Sequence, residues 1–140
     1  MKKYSQLAEE AFAEEVTIDY TSLFGGEPYQ ISGAKQVEMW REQMEGLDSW
    51  QHITTSVLID LPQPGAASKT PQTAQVIANC IVNLKRASAK GDSEIRNGGR
   101  YEFEVVRTDN DGNPWRISML KADLVWFSGN SDVMGGLGKK

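Results

Sequence analysis

Hydrophobic and polar positions alternate along the second half of the chain in a pattern that predicts long β-strands. Between residues 73 and 84 every even position is apolar, while the odd positions mix amide side chains with Ile77 and Ile81. A period of two predicts a strand with one dry face and one partly wet face. Residues 51–61 form a similar run. Residues 97–107 and 115–127 are predicted to form two further strands, and the turn residues between them predict a hairpin.

The first half of the chain follows a helical period more often. Apolar residues at helical spacing predict a helix over residues 5–14, and alternation over residues 16–20 predicts a strand. A second helix is expected to begin at Ser32 or Gly33, because serine and glycine suit the position that caps a helix. Its apolar stripe, which we interpret as core packing, consists of Val37, Trp40, Met44 and Leu47.

The order of these elements is helix, strand, helix and then four long strands. Helices early in the chain and a meander of strands late in the chain predict the α+β class, with the helices on one face of the sheet. The small-residue loop over 62–70 is too short to separate two domains. We therefore expect a single domain over residues 1–134, followed by a flexible tail over 135–140.

Composition narrows the classes of partner. The chain has 140 residues and a formal net charge of −4, which argues against nucleic acid as a partner. No apolar run approaches the length of a membrane-spanning helix, and the start lacks the apolar segment of a secretory signal. Cys80 is the only cysteine, so no intrachain disulfide or cysteine metal cluster is possible. We expect a cytoplasmic protein that binds no metal and no membrane.

His52 is the only histidine and the natural candidate for acid or base chemistry near neutral pH. The plainer interpretation is a histidine at the surface or in the core. No Gly-x-Ser-x-Gly elbow, phosphate loop or dinucleotide fingerprint accompanies it, so we expect no cofactor. Cys80 lies on the apolar face of its strand and is expected to be a small core residue rather than a nucleophile.

The strand over 97–107 offers two alternatives for a base. Regular alternation turns Tyr101 and Phe103 inward and Glu102 outward, whereas a bulge would bring Glu102 inside as a base with a raised pKa. We prefer the first alternative, with Arg100, Glu102, Glu104 and Arg116 as cross-strand ion pairs on the exposed face. The four tryptophans suit an aromatic-lined pocket for a flat apolar ligand, and they equally suit core and dimer contacts.

Four short segments together resemble the SnoaL-like family of the nuclear transport factor 2-like superfamily. Gly98-Gly99-Arg100-Tyr101-Glu102, followed by an Arg-bearing strand, a turn and Trp115-Arg116-Ile117, resembles the closing hairpin of that family. Ile18-Asp19-Tyr20, Gln51-His52-Ile53 and the Asp123-to-Phe127 ending resemble three of its strands, in the same order. Among the members, scytalone dehydratases look most similar. The resemblance spans most of the chain.

The resemblance implies a fold and a function. The fold is a cone-shaped α+β barrel, with a curved mixed or antiparallel sheet wrapped around N-terminal helices. The function is a cofactor-free dehydratase-, cyclase- or isomerase-like reaction on a small hydrophobic polyketide- or terpenoid-type metabolite. His52 would move the proton and Tyr20 would polarise a carbonyl or hold water, with Glu102 and Asp19 as alternative bases. The pocket-lining candidates are Trp40, Thr54, Val76, Ala78, Cys80, Val82, Tyr101, Phe103, Ile117 and Trp126.

Two features of the sequence depart from the family. The second histidine of scytalone dehydratase should fall near Lys85 or Arg86, and no histidine is there. The first helix of that enzyme carries an aspartate and a tyrosine essential to its site, and this chain begins too late to hold them, so a shortened first helix is expected. These departures favour the alternative of a non-catalytic ligand-binding or assembly module with the same cone. In either case the resemblance implies a homodimer that forms through the open face of the sheet.

Overall fold

The computed structural model describes residues 2–63, 65–66 and 69–134 and shows the predicted α+β architecture. The predicted tail over 135–140 lies outside the described residues. Six strands form one sheet. Two of the three α-helices pack against it, as do a π-helical turn over Leu7–Ala11 and a 3₁₀ turn over Ser131–Met134, while the first α-helix packs mainly against the third. The strands are β1 (Phe12–Asp19), β2 (Tyr29–Ser32), β3 (Ser49–Ile59), β4 (Thr73–Lys85), β5 (Glu94–Arg107) and β6 (Trp115–Gly129). The helices are α1 (Lys2–Gln6), α2 (Thr21–Phe24) and α3 (Gly33–Glu45).

The sheet is mixed, which is one of the two forms that the family resemblance implied. Its strand order is β2-β1-β6-β5-β4-β3. Strands β3 to β6 form an antiparallel meander, and the hairpin between β5 and β6 occurs where the turn residues predicted it. β1 pairs in parallel with β6 and antiparallel with β2. The early strand therefore extends the late meander, which brings the N-terminal half of the chain beside the hairpin.

The predicted helix over residues 5–14 is correct only in part. α1 gives way to a π-helical turn over Leu7–Ala11, and β1 already begins at Phe12. Phe12 is buried, stacks on Trp40 with ring centroids 5.3 Å apart, and pairs with Ile117 of β6. These contacts are non-local, and they outweigh the local helical spacing that the sequence displays.

Two short elements lie between β1 and α3 that the sequence did not predict. The Asp19 carboxylate accepts hydrogen bonds from the Thr21 backbone N–H at 3.0 Å and from its hydroxyl at 2.7 Å, which turns the chain into α2. β2 follows α2 after a short loop and pairs with β1 through four residues. α3 then begins as predicted, because the Ser32 hydroxyl accepts a hydrogen bond from the Lys35 N–H at 3.2 Å.

The core lies between the helices and one face of the sheet, which we call the concave face. The even positions of β4 lie on this face, and five of the six are fully buried, in agreement with the predicted alternation. Tyr101 and Phe103 of β5 and Leu120 of β6 lie on the same face. The opposite face, the outer face, is open to solvent over β3 to β6. Within the described residues, no helix is long and apolar enough to cross a membrane.

Candidate active site

A cavity of about 410 Å³ lies between the concave face and the helices. This volume falls within the range of pockets that hold small molecules. The sheet contributes mainly polar and aromatic side chains, namely Trp50, His52, Thr54, Cys80, Tyr101 and Phe103. The segment around α2 and helix α3 contribute the opposite wall, with Tyr20, Leu23, Phe24, Trp40, Gln43 and Met44.

His52 lies in β3 opposite Val82 of β4 and lines the cavity. β3 is an edge strand, so the imidazole remains partly exposed and the cavity opens to solvent on this side. The buried part of the ring lowers the pKa of His52 below its ordinary value, because burial disfavours the charged form. Within the described part of the chain no hydrogen bond holds the imidazole. Neutral His52 can therefore accept a proton at neutral pH.

Tyr20 follows β1 directly and reaches the cavity from the other end of the sheet. Burial raises the pKa of its hydroxyl, the nearby Tyr101 hydroxyl adds to the shift, and the polar contact with the Trp40 side chain opposes it. Tyr20 thus stays protonated across the physiological range and can act only as a neutral hydroxyl. A neutral hydroxyl on a half-buried side chain is suited to donate a hydrogen bond to an oxygen that gains negative charge.

Thr54, Cys80 and Tyr101 form a polar cluster on the concave face. Burial raises the pKa of the Cys80 thiol, and hydrogen bonds with the Tyr101 and Thr54 side chains partly oppose that shift. Burial likewise raises the pKa of the Tyr101 hydroxyl, and Cys80 adds to it. Ser56, which would share this face in a regular strand, does not line the cavity. Its φ is 53° and it lies at an irregularity in the β3–β4 register.

The cavity wall carries no formal charge apart from any proton on His52. None of the described side chains that line it is an aspartate, glutamate, lysine or arginine. No group of three or more His, Cys, Asp or Glu side chains among the described residues is placed to hold a metal ion. The site therefore offers one group that titrates near neutral pH, surrounded by hydroxyl, thiol, amide and apolar side chains.

The alternative bases lie elsewhere. The Asp19 carboxylate is engaged with Thr21, whose hydroxyl hydrogen bond lowers the pKa of Asp19 below its ordinary value. Glu102 lies on the outer face 3.1 Å from Arg100, because the β5 register turns its neighbour Tyr101 inward. Neither carboxylate lines the cavity. The structure thus provides no carboxylate base for this site among the described residues.

The ion pairs expected on the outer face involve partly different residues. Arg100 contacts Glu102 and, at 3.7 Å, Asp123, and Lys121 contacts Asp123 at 3.2 Å. Glu104 instead accepts a hydrogen bond from the Ser118 hydroxyl at 3.0 Å. Arg116 donates to backbone carbonyls of the hairpin, including Asn113 at 2.6 Å. Of the four residues predicted to form cross-strand ion pairs, Arg100 and Glu102 contact each other along the same strand, and the cross-strand partner of Arg100 is Asp123.

Five of the predicted lining residues do not reach the main cavity. Val76 and Ala78 lie on the concave face outside it, and Val82 borders a separate small cavity of about 20 Å³. Ile117 borders a surface groove near the π-helical turn. Trp126 lies on the outer face, where its indole covers the site of a Cβ on Gly98. The other five, Trp40, Thr54, Cys80, Tyr101 and Phe103, line the cavity with His52 and Tyr20.

Two lining residues missed by sequence reasoning come from the N-terminal segment. Tyr4 in α1 and Leu7 in the π-helical turn both border the cavity. Leu7 belongs to the helical spacing that the sequence displays, but that spacing indicates only an apolar face and not what it covers. Gln43 and Met44 of α3 were likewise recognisable only as parts of a helix. Their position depends on how the helices cross the sheet.

Comparisons with known proteins agree with this fold. The family model described as SnoaL-like domain matches residues 2–121. A protein from Kribbella flavida has a crystal structure that superimposes with a TM-score of 0.77 at 18% identity, over 94% of this chain and 84% of that one. A Novosphingobium aromaticivorans protein provisionally named scytalone dehydratase gives 0.65 at 15% identity, over 91% and 74% of the two chains.

A third similar structure is a hexachlorocyclohexane dehydrochlorinase from Novosphingobium barchaimii, with a TM-score of 0.64 at 15% identity over 91% of this chain and 76% of that chain. At these identities the likeness establishes the fold alone. No curated protein sequence is significantly similar to the chain.

Proposed function

The chain belongs to the SnoaL-like domain family, of the nuclear transport factor 2-like superfamily, and we propose that it is a cofactor-free lyase or isomerase. Its substrate would be a small hydrophobic molecule of the polyketide or terpenoid type that carries an acidic C–H bond. His52 would act as the base and Tyr20 as the hydrogen-bond donor. Two of the similar structures carry the names of a dehydratase and a dehydrochlorinase, and both names denote eliminations.

One observation carries the proposal: His52 and Tyr20 line the same cavity, and no charged side chain among the described residues lines it with them. A neutral imidazole needs no partner to accept a proton, and its lowered pKa keeps it neutral at pH 7. The raised pKa of Tyr20 keeps the hydroxyl able to donate. The two groups thus have the protonation states that base and donor require.

The proposed step is a β-elimination or a double-bond shift. An imidazole nitrogen of His52 takes the proton from a carbon next to a carbonyl, and the C–H electron pair moves towards the carbonyl oxygen. The Tyr20 hydroxyl stabilises the negative charge on that oxygen. In an elimination the electron pair then forms the C=C bond, and the bond to the leaving group breaks with its electron pair. A hydroxyl leaves as water after receiving the proton from His52, whereas chloride leaves without one and His52 then releases its proton to solvent. In a double-bond shift no group leaves, and His52 returns the proton to the far carbon of the conjugated enolate.

A probe that needs only proton abstraction tests the proposal without knowledge of the natural substrate. We would follow deuterium exchange at the carbon next to the carbonyl of β-tetralone in D₂O by NMR, and chloride release from β-chloropropiophenone, which carries both a carbonyl and a leaving group, in parallel. The wild type is expected to catalyse at least one of the two reactions. His52→Gln should lower that rate about 10²- to 10⁴-fold. The control, Gln51→Ala, alters the neighbouring side chain, which alternation directs to the outer face, and should keep the rate.

A rate in His52→Gln equal to that of the wild type would refute the assigned base. Absence of both reactions in the wild type would favour the second candidate, a binding module that uses the same cavity without turnover. Two observations support that alternative. The imidazole has no hydrogen-bond partner among the described residues to orient it, and the cavity opens to solvent beside β3. Both features suit a ligand that is held rather than converted.

A further inference from the structure

A second cavity, which we call the outer chamber, adjoins the cavity of His52, the inner cavity. Its volume is about 560 Å³, and it lies between α2, β2 and one face of α3. Four side chains border both cavities: Tyr20, Phe24, Trp40 and Gln43. We call these four side chains the partition between the two cavities. A sufficiently long ligand has room to occupy both cavities at once.

The partition has a fixed part and a more exposed part. Trp40 is held by its ring contact with Phe12, 5.3 Å between centroids, in the core. Phe24 is 40% exposed at the end of the one-turn helix α2 and touches Tyr20 edge-on, with centroids 6.2 Å apart. An exposed ring at a helix end can change rotamer at low cost. Phe24 is thus the side chain of the partition that can most easily move aside for a ligand.

The outer chamber contains a buried polar group that points to a ligand. Gln36 is 1% exposed and borders the chamber. Its Oε1 accepts a hydrogen bond from the Tyr29 hydroxyl at 2.9 Å. The amide N–H groups of this side chain are donors at the chamber wall, and a ligand oxygen in the chamber could accept a hydrogen bond from them.

The charges at the chamber have one sign. Glu27 and Glu42 border it, and none of the other described side chains at its wall is charged. The inner cavity contributes no charge to balance them. A carboxylate or phosphate ligand would meet like charge at the chamber and no cation in the inner cavity, whereas a hydroxyl could donate to a carboxylate and accept from Gln36. The two cavities together therefore disfavour anions and accept an uncharged polar group.

We propose that the substrate is an elongated, uncharged molecule whose apolar ring body occupies the inner cavity and whose hydroxyl or amide end occupies the outer chamber. This inference deepens the proposed function, because it takes the inner cavity as the place of reaction. Gln36 then forms a hydrogen bond with the polar end of the substrate. Glu27 and Glu42 weaken the binding of acidic analogues by charge repulsion. Phe24 determines whether the longer ligand passes.

Binding of three matched probes tests this substrate class by isothermal titration calorimetry. The probes are β-acetylnaphthalene and its derivatives with a hydroxymethyl or a carboxyl group on the far ring. The hydroxymethyl probe is expected to bind the wild type about fivefold more tightly than the parent, the worth of one hydrogen bond. The carboxyl probe is expected to bind most weakly. Glu42→Gln should tighten only the carboxyl probe, by about two- to fivefold.

Matched control variants distinguish the effect of a side chain at the outer chamber from the effect of the same change elsewhere in the protein. Glu15→Gln removes the same charge from β1, away from both cavities, and should change none of the three affinities. Gln36→Leu removes the amide N–H groups and should abolish the advantage of the hydroxymethyl probe; Gln36→Met, which keeps the length of the side chain, is the second test should Gln36→Leu fail to fold. Tyr29→Phe leaves the amide N–H groups of Gln36 in place and should keep that advantage.

Three results would overturn the inference: equal binding of the carboxyl and hydroxymethyl probes, no advantage of hydroxymethyl over the parent, or no binding of any probe. Failure of the proposed function is distinguishable from these. If His52→Gln preserves the order of affinities while the wild type shows no turnover, the binding specificity stands and only the catalytic proposal fails.

Discussion

Tyr20 and His52 line one cavity although three strands of the sheet, β6, β5 and β4, lie between β1, which ends just before Tyr20, and β3, which carries His52. Strands in a flat sheet are about 4.8 Å apart, so side chains four strand positions apart would lie near 19 Å from one another, roughly four times that spacing. A sheet that curves around its concave face brings its two ends towards a common centre. The curvature therefore creates the site, and residues that are distant in sequence and in strand order come to share it.

The pH dependence of stability should report the burial of His52. Its pKa in the folded protein is below the ordinary value of 6.5, so the unfolded chain binds the proton more tightly. The contribution of neutral His52 is fully present above pH 6.5 and is lost as the pH falls towards the folded pKa. We expect the free energy of unfolding to fall more between about pH 7.5 and about pH 5 in the wild type than in His52→Gln.

Urea denaturation of both proteins at the two pH values measures this difference. All other titrating groups are common to the two proteins, so subtraction isolates the imidazole. An equal loss of stability in both would mean that the His52 ring is as well solvated in the folded protein as in the unfolded one.

Cys80 should be inert towards thiol reagents in the folded protein. Its side chain is 5% exposed, and burial raises the pKa of the thiol, which lowers the fraction of reactive thiolate. Reaction with Ellman's reagent at neutral pH should be slower by at least about tenfold in the native protein than in guanidinium chloride. Because this is the only cysteine, one equivalent per chain identifies it without ambiguity. Fast reaction without denaturant would contradict the burial.

Alternation identified the main features of the sheet from the sequence. The even positions of β4 have no polar member, so their face could be assigned without knowledge of any partner. The turn residues after Arg107 predicted the hairpin, and alternation along β5 predicted that Tyr101 faces inward and Glu102 outward. The pairing of β5 with β4 is regular, so this alternation holds although β6 has an extra residue at Ser118. These features depend on local chemistry and on a period of two, both of which are visible in the sequence.

The position of Trp126 could not be predicted in this way. By alternation it should face the same side as Leu124, and we expected it in the pocket. Gly99 pairs with Leu124 but Gly98 pairs with Trp126, so Val125 is an extra residue and the side chains that follow it change faces.

The start of β1 at Phe12 was missed for a related reason, since its partner β6 lies about 100 residues away in sequence. Such non-local pairings leave no local pattern.

Two copies of the chain are expected to pair through the outer face. Ile53 of β3, Ile81 of β4 and Trp126 of β6 form one row across four strands, with Gly98 of β5 between the last two. The three apolar side chains are 39%, 39% and 43% exposed. A row of apolar side chains at the centre of a sheet face suits a symmetric contact, because the same row serves both copies.

Analytical ultracentrifugation of Ile81→Glu tests this pairing. The charge would have to be buried without a partner, so the variant should shift towards the monomer by at least about tenfold in dissociation constant. Ile59→Glu is the control, since Ile59 pairs with Val76 and lies on the opposite face beyond the bulge in β3. A wild type that sediments as a monomer at all concentrations would contradict the prediction, and so would an Ile81→Glu protein that dimerises like the wild type.

Gly99→Ala should destabilise the fold through a clash with the neighbouring strand. A Cβ at this position would lie 2.1 Å from the Asp123 carbonyl oxygen, because the bulge at Val125 brings the β6 backbone close to β5. Backbone cannot yield as a flexible side chain can, so we expect a loss of about 1 to 3 kcal/mol in the free energy of unfolding. In the control Gly112→Ala, in the hairpin turn, the added Cβ meets only the Asn110 side-chain oxygen at 3.3 Å, so the free energy of unfolding should change by less than about 0.5 kcal/mol.

Urea denaturation of both variants measures the difference in stability. If Gly99→Ala is as stable as Gly112→Ala, β5 and β6 do not approach closely at Gly99, and the assignment of Trp126 to the outer face loses its support, because the same bulge turns that side chain away from the cavity.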